Sequence, residues 1–383
     1  MNLLVLGNGF DMKCGLASSF FDYISAQLDK HPFLEKLCDK SVLQSQNEFD
    51  QYFHDHLSFF KEISFIELYT YVYDYSFNNS WADFEKTIFK LLQVGDDKKY
   101  TPWEKIYIGI LEMLRDQSHT FIIDSKIKRY ENIIGCVFLR LYSIDNLDSF
   151  YETIYSLSKW YDFLFEEVKK FEKSFMNYLN ADFDKKKNTY NEESIRNISK
   201  LLGTSSLTPA HLLNTIVISF NYTELPDIIK NNVVNIHGKL SNNSLIIGID
   251  STKMKFNEKT FKFTKTYRKF DLVSSDKHNR EINYLKETIN NIIFYGHSLN
   301  EQDYAYFQTL FDAYGLFENK DLHLTFYYSI HGTKSIVDLK AIQVNRIVKL
   351  IETYGDTLLN KHIGKNLFHR LLLQQRIHLY IID

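Results

Sequence analysis

One short apolar run, Asn2 to Leu6, opens the chain, and comparable runs return only after residue 214: "TIVISF" at Thr215, "VVNI" at Val233, "LIIGI" at Leu245, "NIIFYG" at Asn291 and "LHLTFYYS" at Leu322. Each is bounded by polar or glycine-containing turns. That pattern belongs to strands buried on both faces, as in a parallel sheet. The final "IHLYIID" reads as an added edge strand.

Between Phe20 and Gly203 the pattern changes to long amphipathic stretches such as "NIIGCVFLRLYSI" and "SFYETIYSLSKWYDFLFEEVKKFEKSFMNYL", with few glycines and only Pro32 and Pro102. These predict helices. Within this region "DFDKKKNTYNEES", Asp182 to Ser194, is expected as an exposed loop or hinge. The expectation is an α/β fold: a Rossmann-like, mostly parallel sheet with a large helical insertion after the first strand. Residues 1–19 and 204–383 would form the α/β sheet domain and 20–203 the inserted, mainly helical one. A chain of 383 residues, 44% hydrophobic and rich in Phe (31) and Tyr (26), can build such cores without disulfides or metals.

A net charge of −3 argues against a protein whose whole surface contacts nucleic acid. A local basic and aromatic stretch, Lys253 to Lys269, leaves a nucleic-acid partner open as the less favoured alternative, because such residues also alternate on any half-buried strand. Cys14, Cys38 and Cys136 show no C-x-x-C pairing, so reduced cytoplasmic thiols are expected and no zinc module is. The apolar start is broken by Gly7 and Asn8 before it resembles a signal peptide, and no run reaches a transmembrane length of about 20 residues. The expectation is a cytoplasmic protein with no membrane partner.

The first strand runs into Gly7-Asn8-Gly9-Phe10-Asp11, with Gly15 a little further on. Such a turn brings backbone close to a ligand and aims free N–H groups at it, which suits a phosphate or pyrophosphate. The dinucleotide fingerprint fails at Met12, however, and no Walker A motif occurs, so a tight turn without a ligand remains the other reading. Further site candidates end later strands. "SFNYTE" places Asn221, "VVNIHGKL" places His237, and "FYGHSLNEQDYAYF" places Gly296, His297 and Ser298, with Asp303 opening a helix. Either His237 is a core histidine bonded to backbone, or these strand ends describe one crevice.

Together, Gly7-x-Gly9-Phe10-Asp11, Gly15-Leu16, "SFNYTE", "IHG" and "GHSLNEQD" resemble the AbiH family of bacterial phage-abortive-infection proteins, and Trp81-x-x-x-Glu85 resembles that family's helical region. More distantly, the set is similar to SIR2-like NAD-binding and NAD-cleaving domains. Departures from that pattern are Ala17 in place of proline, no evident arginine after it and no four-cysteine zinc module, which together make protein deacetylation improbable.

The resemblance implies NAD or a related nucleotide as substrate or ligand and hydrolysis of its N-glycosidic bond, with no metal. It assigns His237 as the base, and Asn221 would orient ribose or water. The glycine loop would anchor the pyrophosphate. Asp11 caps the turn or faces ribose hydroxyls; Ser298 and Asp303 hold the far ribose, or Asp303 is an N-terminal helix residue. For Trp81 and Glu85 packing plus a surface or capping contact is the default, with Glu85 reaching into the crevice as the other reading. A toxic activity of this kind implies a phage-derived trigger and leaves a homo-oligomer open. The alternatives are a nucleotide sensor without catalysis and a nuclease effector, although no convincing set of carboxylates for Mg²⁺ stands out.

Overall fold

A computed structural model describes residues 1–34, 46–71, 84–93, 99–115, 137, 156–251, 257–275, 284–330, 335–359 and 364–382. Six strands form one sheet: β1 (Asn2–Leu6), β2 (Thr215–Ser219), β3 (Val233–Asn235), β4 (Asn291–Tyr295), β5 (His323–Tyr328) and β6 (Ile377–Ile381). Their order is β3-β2-β1-β4-β5-β6, with every neighbouring pair parallel. The chain builds outward from β1 in both directions, which places the topological switch point between β1 and β4. The expected edge strand at the C-terminus is present. "LIIGI" is not a strand of the parallel sheet: Ser244–Leu245 pair antiparallel with Gly238–Lys239, Ile249 makes a single parallel bridge to Thr264, and Ile246, Ile247 and Ile249 are buried outside the sheet. An apolar run of that length reports burial and leaves the partner undetermined.

Both faces of the inner strands β1, β2 and β4 are covered, which is why these read as unbroken apolar runs, whereas β5 and β6 leave one face partly open at His323, Tyr327, His378 and Tyr380. Leu3 and Val5 of β1 point into one core with Ile216, Ile218, Ile292 and Phe294, whereas Leu4 and Leu6 point into another with Val217, Ile293 and Tyr295. Each buried side chain of this size contributes roughly 1.5–3 kcal/mol.

Five helices matter for the site: α1 (Asn8–Lys13), α2 (Phe84–Leu92), α3 (Leu157–Leu201), α4 (Lys265–Ser275) and α5 (Tyr304–Ala313). α3 is a continuous helix of 45 residues that starts at the Ser156 cap and stops at Gly203, whose φ is +67°. It therefore replaces the loop expected over Asp182–Ser194. The charged residues of that segment line its solvent side, while Tyr190, Ser194, Asn197, Ile198 and Leu201 form a buried stripe.

The N-terminal half of α3 packs in an aromatic core with α2 and neighbouring helices, and the C-terminal half packs on the sheet. In the aromatic core Trp103 and Trp160 stack at 4.3 Å and each donates its indole N–H to the other's carbonyl. Leu240, Leu245, Ile247, Ile249 and Phe263, from the chain after β3, join the same core. No described helix is long and apolar enough to cross a membrane. Trp81, Cys38, Cys136, Lys253 and all of 132–144 except Val137 lie outside the described residues.

Candidate functional site

Register brings the sequence candidates to one edge of the sheet. Leu6 pairs with Ser219 and Tyr295, and Ser219 pairs with Asn235, so four adjacent strands end level. Gly7, Asn221, His237 and Gly296-His297 follow immediately.

The two glycine turns pack on one another. Gly7 N–H donates to the Tyr295 carbonyl at 3.0 Å and Gly9 N–H to the Gly296 carbonyl at 2.8 Å. A Cβ on Gly7 would sit 2.4 Å from His297 Cα, and one on Gly296 would sit 2.3 Å from the Phe10 nitrogen. These glycines permit close approach of backbone to backbone, and the Gly9 N–H expected to face a ligand is engaged. Gly15 (φ +94°) has open space around it and ends α1 as a left-handed turn residue. Asn8 accepts from the Ser18 hydroxyl, and Phe10 is buried edge-on against Tyr295.

Asp11 neither caps the turn nor lies open to the crevice. Its buried carboxylate accepts from Tyr190 Oη of α3 at 2.8 Å, from Asn221 Nδ2 at 3.0 Å and from Thr223 Oγ1. Burial outweighs those three bonds and pushes its pKa up to about 6. Asn221 Nδ2 also donates to the Gly7 carbonyl at 3.1 Å, so the two acceptors fix the amide orientation. Asn221 Oδ1 is left buried without a hydrogen-bond partner. Asn235 Nδ2 secures the loop from the other side by donating to the carbonyls of Asn221 and Thr223.

A second cluster lies around Asp303, at the N-terminus of α5, where it makes no side-chain cap bond. Its Oδ1 lies 2.7 Å from Lys265 Nζ and 3.4 Å from His237 Nε2, and its Oδ2 lies 3.4 Å from His297 Nε2. Lys265 Nζ also pairs with Glu85 of α2 at 2.9 Å, so Glu85 does reach inward. One turn along α4, Arg268 makes a two-pronged pair with Glu172 of α3, which in turn accepts from Ile247 N–H. The Lys265 ammonium and the two imidazoles hold Asp303 well below the usual carboxylate range. Burial, reinforced by Lys265, pushes His237 down to about 4, so its ring is neutral at physiological pH. His237 Nε2 is the second buried atom here without a hydrogen-bond partner. Phe220 packs edge-on against both His237 and His297.

The family model described as Bacteriophage abortive infection AbiH matches residues 3–328. The chain belongs to the AbiH family. Its role is accordingly in bacteriophage abortive infection. No curated protein and no solved structure matches the chain.

In this AbiH protein the candidates divide between two neighbouring clusters: the glycine turns with Asp11 and Asn221, and His237 with His297 and Asp303. Ser298 is half-buried in the turn after β4. Sequence reasoning missed Tyr190, Thr223, Asn235, Glu172, Lys265 and Arg268. Lys265 and Arg268 belong to the basic and aromatic stretch read as a nucleic-acid surface, yet both are buried against carboxylates, and Lys262 pairs with Asp162. Among the described residues, no group of three or more His, Cys, Asp or Glu is arranged to hold a metal.

Proposed function

We propose that this AbiH protein hydrolyses the N-glycosidic bond of a nucleotide, with NAD as the first substrate to test. The observation that carries the reading is a pair of buried polar atoms without a formed hydrogen bond just past the ends of adjacent parallel strands: His237 Nε2, 3.4 Å from Asp303 Oδ1, and Asn221 Oδ1. Buried polar atoms are ordinarily bonded, and two orphans side by side at the carboxyl ends of the strands are what a site for an acceptor-seeking ligand leaves behind.

In the reaction, water adds its oxygen to the anomeric carbon and yields a proton to neutral His237, while the C–N bond breaks and its electron pair leaves with the base. Asn221 Oδ1 accepts from a ribose hydroxyl or from that water, since both amide hydrogens are already committed. The residues fit the ribosyl part of such a ligand. Among the described residues of the site, Lys265 and Arg268 are both held by carboxylates and so are not free to meet its pyrophosphate. Recognition on this reading centres on the sugar.

The test is nicotinamide release from NAD by the purified protein, followed by chromatography beside His237→Ala. Release that disappears in the variant while NAD still binds by calorimetry supports the reading. Binding without release in the wild type would favour a sensor, and absence of binding would remove NAD.

A further inference from the structure

We infer that Lys265 is a positioning residue for His237: by holding Asp303 Oδ1 it keeps that carboxylate from capturing the imidazole. The hydrolase reading gives His237 its task, and the inference rests on that reading only for this purpose.

Lys265 is 3% exposed, and its ammonium has three hydrogens to place. They meet Asp303 Oδ1 at 2.7 Å, Glu85 Oε2 at 2.9 Å and the Gln302 carbonyl at 3.4 Å. His297 stands with Nε2 3.4 Å from the other oxygen of Asp303. Its Nδ1 accepts from Leu299 N–H at 2.9 Å, which puts the ring hydrogen on Nε2, beside Asp303 Oδ2. Asp303 Oδ1 stands at the same 3.4 Å from His237 Nε2, a contact too long for a formed hydrogen bond while Lys265 holds that oxygen at 2.7 Å.

The charged and titratable groups around His237 are Lys265 from α4, Asp303 from the start of α5, His297 from the turn after β4, and the phenols Tyr222 and Tyr306. Glu85, Glu172 and Arg268 lie one layer further out. Within this set Lys265 is the cation bound directly to Asp303. Without it, the carboxylate beside His237 keeps its charge and lacks its counter-ion. A buried unpaired carboxylate recruits a proton partner, and His237 is 3.4 Å away. The imidazole then becomes an imidazolium and can no longer accept a proton from water.

The experiment is an NMR titration of the imidazole nitrogens of the full chain, with the His237 signal assigned by its loss in His237→Gln. In the wild type His237 should stay neutral down to about 4. In Lys265→Met it should take up a proton above its ordinary value of about 6.5. Lys265→Met/Glu85→Gln removes one cation and one carboxylate together, so it keeps the test available where the single variant fails to fold, and it should behave likewise. In Lys265→Met/Asp303→Asn the imidazole should return to neutrality. A His237 that stays neutral from pH 5 to 8 in both Lys265 variants overturns the inference, as does one that is protonated without Asp303. Should the wild type release no nicotinamide while these titrations come out as expected, hydrolysis of NAD falls and the Lys265 relationship stands.

Discussion

Gly9 donates its amide hydrogen to the Gly296 carbonyl at 2.8 Å, and a Cβ on Gly9 would lie 2.8 Å from Gly296 Cα. The turns after β1 and β4 are thus one packed unit at the switch point. Gly9→Ala must push backbone against backbone, at a cost of roughly 1–3 kcal/mol, and Gly9→Val costs more. Gly15→Ala meets open space and suffers only the left-handed strain of φ +94°, about 1–2 kcal/mol. Urea unfolding should therefore rank Gly9→Val below Gly9→Ala. Unchanged stability in Gly9→Ala would refute the close approach.

The raised pKa of Asp11 makes stability pH-dependent with a definite sign. Its folded value, about 6, lies above the ordinary 3.8, so between these limits the folded state holds a proton that the unfolded state has released. The contribution of Asp11 is complete below 3.8 and is lost as pH rises to about 6, at about 1.4 kcal/mol per unit. The stability of the wild type minus that of Asp11→Asn should fall over this window and level off above it. A difference that is flat, or rises with pH, would show that the Tyr190, Thr223 and Asn221 bonds outweigh burial.

The buried pair of Glu172 and Arg268 joins α3 to α4 beside the site. Removing one partner leaves a charge stranded in the core, so Arg268→Met or Glu172→Gln should each cost roughly 3–5 kcal/mol. Glu172→Met/Arg268→Met should lose much less than the sum, because neither charge remains. The double variant still forfeits the bond from Ile247 N–H to Glu172, about 1 kcal/mol. Additive losses in a double-mutant cycle would mean that the two side chains act independently.

The sheet was legible because its inner strands are buried on both faces, and they and the half-covered β5 and β6 all appear as apolar runs with polar ends. Asn221, His237 and His297 were legible for the same reason, since each follows a run directly. Their partners were not. Tyr190 reaches Asp11 across 179 residues, and Lys265 reaches Asp303 and Glu85 from different layers, contacts that no local periodicity encodes. The turn after β1 was recognised as a site of close approach, while what approaches it is the turn after β4. Lys265 and Arg268 carry the opposite lesson, because a basic and aromatic stretch looks the same in sequence whether its charges face water or buried carboxylates.

The segment 182–194 sharpens this point into a measurement. Its density of charge suggests a loop, yet Leu179, Phe183, Tyr190, Ser194 and Asn197 keep helical spacing on one side, and α3 runs through it unbroken. The carboxylate of Asp182 also accepts from Ala17 N–H at 2.9 Å, and Tyr190 holds Asp11, so this part of α3 fixes the first loop of the site. Lys187 is exposed on the solvent side of the helix. In a loop Lys187→Pro would be nearly silent. In α3 it removes a helical hydrogen bond and clashes with the preceding turn, which costs about 3 kcal/mol or more. Lys187→Ala, which keeps the helix, should remain within about 0.5 kcal/mol of the wild type. Equal melting temperatures for the two variants would restore the loop, whereas a large loss confined to the proline variant would show that helix continuity carries the geometry from Tyr190 to Asp11.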